Sequence, residues 1–164
     1  MKKQRILMIV LMVWASVYGT SCKKDQEPGG TAMQKMSGDW YVNIGNDEET
    51  FFALSTFNTS DNSSTQIWIQ AGGLSDEGVS IGIKGKINAD LASQTFSGSN
   101  IPNIGTSAGD NPTFSISNGR IVTNGTEGPG SGTPTDAISF DLNIDGHTYK
   151  ISGYHKTGFL EDQQ

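Results

Sequence analysis

Apolar side chains alternate with polar ones along most of this chain, and no other feature constrains its fold as strongly. The alternating apolar positions are Trp40, Val42 and Ile44; Phe51, Ala53 and Phe57; Ile67 and Ile69; Val79, Ile81, Ile83 and Ile87; Phe114 and Ile116; Ile138, Phe140, Leu142 and Ile144; and Tyr149 and Ile151. A period of two is typical of antiparallel strands with one face on a core and one in water. The sequence therefore predicts an all-β domain.

The connections between these segments predict how the strands are joined. Asn118-Gly119 and Asp145-Gly146 each lie between two alternating runs, and such pairs favour type I′ hairpins because both central residues need positive φ. Residues 98–112 and 125–134 are rich in Gly, Ser and Pro, and we expect them to be rim loops. About eight or nine strands, joined mostly to their neighbours, predict an antiparallel up-and-down β-barrel of about eight strands. A two-sheet sandwich is the structural alternative.

The first residues have the order of a secretory signal. Lys2, Lys3 and Arg5 precede an apolar run at residues 6–14, and smaller residues follow up to Cys22. The apolar run is too short to span a bilayer as a helix. Cys22 is the only cysteine, so it forms no intramolecular disulfide. The preceding "YGTS" resembles a bacterial lipobox, which implies cleavage before Cys22 and acylation of it; an ordinary signal peptide ending near a cysteine is the alternative.

The lipobox resemblance divides the chain into three parts. Residues 1–21 are the expected signal peptide, residues 22–32 the lipidated cysteine with a flexible tether, and residues 33–164 the barrel domain. Several acyl chains on one residue anchor a protein stably without spanning the bilayer. The charged residues directly after Cys22 resemble the export signals of some outer-membrane lipoproteins. We therefore expect a cell-envelope lipoprotein of the outer membrane, on its periplasmic or surface face.

The charge of the mature chain excludes one class of partner. From Cys22 onward there are eight Lys or Arg and seventeen Asp or Glu residues, a net charge of −9. Binding of nucleic acid needs a clustered basic face, and Lys84 with Lys86 is the nearest approach to one. We therefore expect no nucleic-acid partner.

The pentapeptide "GVSIG" at residues 78–82 matches the G-x-S-x-G pattern of nucleophilic serines. That pattern requires a strand, a sharp turn and a helix, whereas the residues after Ser80 continue a strand. Ser80 is therefore predicted to be an outward-facing strand residue. A zinc site needs more ligands than His147 and His155 supply, and the acidic pairs lie in turns. We predict no catalytic residue, no metal site and no cofactor.

Two stretches carry a resemblance to a known family. They are "SGDWYV" at residues 37–42 and "SGYHKTGF" at residues 152–159. With them, roughly residues 31–162 resemble a family of bacterial cell-envelope lipoproteins named lipid-binding putative hydrolases. The resemblance implies a lipocalin-like barrel.

The same resemblance implies a role for Trp40, which follows Gly38 in the Gly-x-Trp pattern of lipocalins. In that fold the tryptophan closes one end of the barrel, and an arginine late in the barrel stacks on it. Here the late positions hold Tyr154, His155 and Lys156, so the partner of Trp40 is left open.

A barrel of about eight strands is either filled by side chains or holds one small ligand. The leading hypothesis is a small hydrophobic ligand, a fatty acid or another lipid, inside the barrel. The candidate lining residues are Phe51, Phe57, Ile69, Ile81, Ile83, Phe140, Leu142 and Tyr149. An apolar stripe alone does not distinguish a lined pocket from a packed core.

Two further function classes remain open. An envelope ester hydrolase would require Ser80 or another serine to react with a covalent serine probe. The sequence contains no set of catalytic residues that would support the word "hydrolase" in the family name. A filled barrel would instead be a non-catalytic surface or assembly module, with a protein or glycan partner at residues 98–112 and 125–134. The sequence leaves the oligomeric state open.

Overall fold

The computed structural model describes residues 30–45, 47, 50–76 and 79–164. Eight strands follow one another in this part of the chain. They are β1 (Gly38–Ile44), β2 (Phe52–Asn58), β3 (Gln66–Asp76), β4 (Val79–Asp90), β5 (Thr95–Pro102), β6 (Thr113–Glu127), β7 (Pro134–Ile144) and β8 (His147–His155). Each strand pairs antiparallel with its sequence neighbours, and β1 also pairs with β8, so the sheet closes into a barrel. The predicted up-and-down barrel is confirmed, and the sandwich alternative is wrong.

Helical structure in the described ranges is limited to two 3₁₀ turns, Gln34–Met36 and Leu160–Asp162. No helix there is long and apolar enough to cross a membrane. The predicted signal peptide, Cys22 and the tether as far as residue 29 lie outside the described residues.

The barrel has two ends, and we call the one at which β1 begins the lower end. The turn Gln34–Met36 precedes β1 there, and nearby the backbone N–H of Ala32 donates to Asn62 Oδ1 at 2.8 Å. Since the strands alternate in direction, loops 59–65, 91–94 and 128–133 also lie at the lower end. Loop 103–112 and the turn at residues 145–146 lie at the upper end.

The interior is filled by apolar side chains from all eight strands. Ile67, Ile69, Ile83 and Leu142 are 0% exposed. Burying each such side chain contributes about 1.5–3 kcal/mol. In the described part, every fully buried side-chain nitrogen and oxygen has a hydrogen-bond partner. All eight strands and this core lie within residues 30–164.

The predicted hairpin at Asp145-Gly146 is confirmed. Ile144 pairs with His147 across a two-residue turn. Asp145 has φ 50° and Gly146 has φ 75°, the two positive values that a type I′ turn requires.

The predicted hairpin at Asn118-Gly119 is wrong, because both residues lie inside β6. Asn118 does have a positive φ of 55°, but the chain uses it in a bulge, where the register against β7 shifts between Ser117 and Arg120. A bulge with one residue at positive φ bends a strand without ending it. Gly119 is required here because a Cβ at this position would overlap the ring of Phe96.

The phase predicted for β2 is wrong by one residue. Thr56 faces the interior and is 2% exposed, whereas Phe51 and Phe57, predicted to line the interior, do not. Phe57 stacks on Trp68 on the outer face with ring centroids 6.3 Å apart. Phe51 precedes the strand, and its ring lies 5.6 Å from that of Tyr154. The inward-facing positions of β2 differ from the predicted ones because Thr56, whose hydroxyl both accepts and donates a hydrogen bond, takes an interior position.

The C-terminal segment is held against loop 128–133 by one carboxylate, and we call this contact the C-terminal clasp. Asp162 is 1% exposed. It accepts hydrogen bonds from the backbone N–H of Gly130 (2.9 Å), the backbone N–H and hydroxyl of Ser131 (2.7 and 2.6 Å) and the hydroxyl of Thr157. Desolvation raises the pKa of the Asp162 carboxyl, but these hydrogen bonds outweigh it and hold the pKa well below its usual range.

We expect Asp162→Asn to release the C-terminal clasp. An amide cannot accept from all four donors and places its own NH₂ among them. Amide hydrogen exchange at Gly130 and Ser131 should therefore accelerate strongly, while the exposed neighbouring change Glu161→Gln leaves it unaltered. Equal exchange in the two variants would contradict the clasp.

The same carboxylate gives the clasp a pH dependence. Its folded-state pKa lies below the usual 3.8, so its stabilising contribution is fully present above that pH and is lost as pH falls toward the folded-state pKa. Exchange at Gly130 and Ser131, corrected for intrinsic rates, should stay slow from neutral pH down to about pH 4 and accelerate only in stronger acid.

Candidate functional site

The lower end of the barrel is closed by a hydrogen-bonded cluster around Trp40, which is 1% exposed. Its indole Nε1–H donates to Thr56 Oγ1 at 3.0 Å, and the Thr56 hydroxyl donates to the backbone carbonyl of Met36 at 2.7 Å. Met33 and Met36 of the preceding segment are fully buried against the same core. This end of the barrel therefore offers no opening beside Trp40.

His155, at the end of β8, is the aromatic neighbour of Trp40. It pairs with Trp40 in the β1–β8 register, and its imidazole meets the indole edge-on, with centroids 5.1 Å apart and planes at 88°. Gly38 leaves room for this ring, because a Cβ there would overlap the imidazole. The aromatic partner of Trp40 is thus His155, while Lys156 lies over the ring of Tyr41 at 4.4 Å.

Six of the eight predicted lining residues do face the interior together. Five of them are almost fully buried, and the sixth, Tyr149, is half-buried against the same core. The five are Ile69, Ile81, Ile83, Phe140 and Leu142. They pack on one another, and their role as ligand contacts stays a prediction.

Apolar side chains at the upper end face the interior without being fully covered. Ile44, Phe52 and Tyr149 are partly buried and pack against the core. They lie on the adjacent strands β1, β2 and β8, and we call them the upper mouth. Sequence reasoning missed Phe52, although the doublet Phe51-Phe52 was a signal that either residue could face inward.

Two open grooves have walls that mix polar and apolar residues. The larger, of about 980 Å³, is bordered mostly by polar or charged residues, among them Arg120, Ser139 and Lys150. The smaller, of about 620 Å³, is bordered by Val122 and Tyr154 among others. Phe96, Phe140 and Ile151 of the core also border the larger groove, so one of the predicted lining residues, Phe140, reaches it.

The serine of "GVSIG" is where the sequence predicted it, on the outer face of β4. Ser80 is exposed, pairs with Ser75 of β3, and accepts a hydrogen bond at its carbonyl from the Ser107 hydroxyl at 3.5 Å. His147 is at the upper end and His155 at the lower end. In the part of the chain that the structure describes, no hydrogen bond joins a serine hydroxyl to either imidazole, so these residues form no nucleophile–base pair. The same ranges hold no group of three or more His, Cys, Asp or Glu residues suited to a metal ion.

Comparison with known proteins shows to which family this chain belongs. No curated protein matches this chain. Among solved structures, a redesigned β-barrel is similar, with 19% sequence identity and a TM-score of 0.43, over 79% of this chain and 97% of that one. A family model described as "lipid-binding putative hydrolase" matches residues 25–160. The relationship predicted from the sequence is confirmed, and the chain belongs to the family of lipid-binding putative hydrolases.

Proposed function

We propose that this protein is a membrane-anchored lipoprotein of the cell envelope that binds one small hydrophobic ligand, a fatty acid or a lipid acyl chain, through its upper mouth. The observation that carries the proposal is the contrast between the two ends of the barrel. Ile44, Phe52 and Tyr149 are apolar, interior-facing and partly exposed, whereas Trp40 and Met36 are buried at the opposite end. Of the partly buried apolar residues that pack on the core, only Leu91 lies at the lower end, so the upper end gives an acyl chain the more apolar way in. Membership in a lipid-binding family supports the same ligand class.

The packing below the mouth sets how tightly such a ligand binds. Ile83, Leu142 and Ile151 are between 0% and 2% exposed, so an acyl chain at the mouth alone buries only a few methylenes. At about 0.8 kcal/mol per methylene, four of them contribute about 3 kcal/mol. A micromolar Kd corresponds to about 8 kcal/mol, so affinity of that order requires the chain to move interior side chains aside.

Phe52→Ala is expected to weaken fatty-acid binding about tenfold, a loss of about 1.4 kcal/mol, because it removes the largest apolar surface that β2 contributes to the mouth. The matched control is Phe57→Ala, the same change on the outer face of the same strand, which should leave affinity unaltered. Native mass spectrometry of residues 30–164, delipidated and then mixed with a fatty acid, measures both. A retained one-to-one complex supports the proposal, and equal loss in the two variants contradicts binding at the mouth.

The packed interior also favours a competing function. With Ile67, Ile69 and Leu142 at 0% exposure, the barrel has the filled core expected of a non-catalytic surface or assembly module. That function predicts no bound lipid after purification and no shift in melting temperature with a panel of fatty acids. A ligand that binds only the folded state must raise the melting temperature, so the two functions separate in one measurement.

The membrane anchor has its own test. Cys22→Ser removes the only thiol and hence the proposed acylation site. We expect this variant to lose incorporation of labelled palmitate and to leave the membrane fraction, because no acyl chain then holds it there. Incorporation of labelled palmitate that survives in Cys22→Ser would rule out acylation at Cys22 while leaving ligand binding open.

A further inference from the structure

Two aromatic rings and two lysines form a compact cluster on the outer face of β2, β3 and β4, which we call the aromatic–lysine patch. Phe57 and Trp68 stack with their planes 17° apart. Lys84 Nζ lies 5.8 Å from the Phe57 centroid and 5.9 Å from that of Trp68, and Lys86 Nζ lies 5.4 Å from that of Trp68. No function described above uses these side chains.

The strand register fixes this cluster in place. Phe57 is the direct cross-strand partner of Trp68, and Trp68 is the partner of Lys86. Lys84 is two residues from Lys86 on the same face of β4. Cross-strand neighbours lie within about 5.5 Å of each other, so the barrel presents the two rings and both cations as one rigid surface.

The patch differs in charge from the rest of the molecule. Residues 30–164 contain six Lys or Arg and fifteen Asp or Glu residues, and two of the six cations lie here. The carboxyl of Asp61 interacts with Lys86, but the hydrogen bond from Thr59 is the largest cause of its lowered pKa and Lys86 the smallest. An anionic surface therefore repels most of this protein and attracts the patch.

The patch also lies beside the point where the chain enters the barrel. Phe57 and Trp68 flank loop 59–65, and Asn62 of that loop accepts the hydrogen bond from the backbone of Ala32. Only residues 23–29 separate Cys22 from the described chain. At no more than about 3.6 Å per residue, this segment reaches less than about 30 Å. A chain anchored at Cys22 thus keeps the patch close to the bilayer.

We propose that the aromatic–lysine patch docks the barrel on the anionic surface of the membrane that carries the anchor. Trp68 sits at headgroup level, as the amphipathic rings of Trp and Tyr do, with Phe57 stacked on it, and Lys84 and Lys86 contact lipid phosphates. This orientation rests on the proposed anchoring at Cys22, and it fixes which wall of the barrel faces the lipids.

A fluorescence experiment on the mature chain tests the docking directly. Its only thiol is Cys22, and its only tryptophans are Trp40 and Trp68. The chain is coupled through Cys22 to a maleimide lipid in phosphatidylglycerol vesicles with brominated acyl chains, which quench nearby indoles. We expect quenching of Trp68 in these vesicles, little in phosphatidylcholine vesicles, and a loss in 1 M salt, where the screening length is about 3 Å. The Trp68→Phe variant leaves only the fluorescence of the buried Trp40, and its quenching is the baseline for the Trp68 signal.

Charge reversal separates docking from simple proximity to the bilayer. Lys84→Glu with Lys86→Glu is expected to lower the ratio of docked to undocked chains about thirtyfold or more. Lys150→Glu with Lys156→Glu makes the same change in net charge away from the patch and should leave quenching intact. Equal quenching in the two double variants, or a Trp68 signal that responds to soluble heparin and not to vesicles, would overturn the proposal. Because the coupled lipid supplies the anchor chemically, failure here is distinct from failure of acylation at Cys22 in cells.

Discussion

Gly153→Ala is expected to lower the free energy of unfolding by about 3 kcal/mol or more, at the upper end of the range for overpacking. Gly153 lies in β8 between Val42 of β1 and Ile138 of β7. A Cβ at this position would overlap the carbonyl oxygen of Tyr41 and come 2.7 Å from the Cα of Val42. Both are backbone atoms, which cannot rotate away as a side chain can. The strands β1 and β8 must therefore separate where the barrel closes.

The matched control for this change is Gly72→Ala in β3. Gly72 is exposed, and a Cβ there has no atom within 4 Å, so its effect should stay within about 0.5 kcal/mol. Urea unfolding of both variants measures the difference. Separation of β1 from β8 would also leave two strands with unpaired backbone groups, which favours association between chains. Faster amide exchange in β1 and β8 and concentration-dependent light scattering should accompany the loss of stability, and a Gly153→Ala protein as stable as Gly72→Ala would contradict the close approach.

The order of the strands was predictable because its signals are local. The alternation in Ile138–Ile144 and the positive φ demanded by Asp145-Gly146 are properties of a few consecutive residues. Local signals of this kind specify a hairpin without reference to the rest of the chain. Closure of the barrel follows from enough such hairpins in succession, since β1 then lies beside β8.

The phase of β2 was not predictable because it depends on residues far away in sequence. Thr56 takes an interior position because Trp40, sixteen residues earlier, donates to its hydroxyl, and Met36 accepts from it. A rule that places apolar residues inside puts Phe57 there and Thr56 outside. Phe57 can remain outside because Trp68 covers it from the next strand.

The bulge at Asn118-Gly119 was also not predictable, because it depends on a residue of a neighbouring strand. The sequence correctly indicated a backbone with positive φ at Asn118, and a turn and a bulge both satisfy that requirement. What decides between them is the neighbouring strand, where Phe96 fills the space left by Gly119 and contacts Phe140 with centroids 5.7 Å apart. Only the error in β2 affects the candidate site, because the mouth residue Phe52 is missed when the phase of that strand is misread.

Trp40→Ala is expected to lower the free energy of unfolding by about 3–5 kcal/mol, the range for removing a large aromatic side chain from a core. The change removes the ring on which His155 packs, and it leaves the Thr56 hydroxyl without its indole donor. A void at the lower end would also expose Met33 and Met36, which are fully buried beside it. Far-UV circular dichroism during urea unfolding measures the change without relying on tryptophan emission.

Trp68→Ala is the matched control, because it deletes the same side chain from the outer face of β3. That indole is half-buried and stacks on one ring, so we expect a loss of about 1 kcal/mol. Trp40→Phe should fall between the two, since it keeps a ring beside His155 but leaves the buried hydroxyl of Thr56 without a donor, at about 1–3 kcal/mol. If Trp40→Ala and Trp68→Ala lose the same free energy, Trp40 is not the residue that closes the lower end. A gap of several-fold between them assigns that closure to the indole.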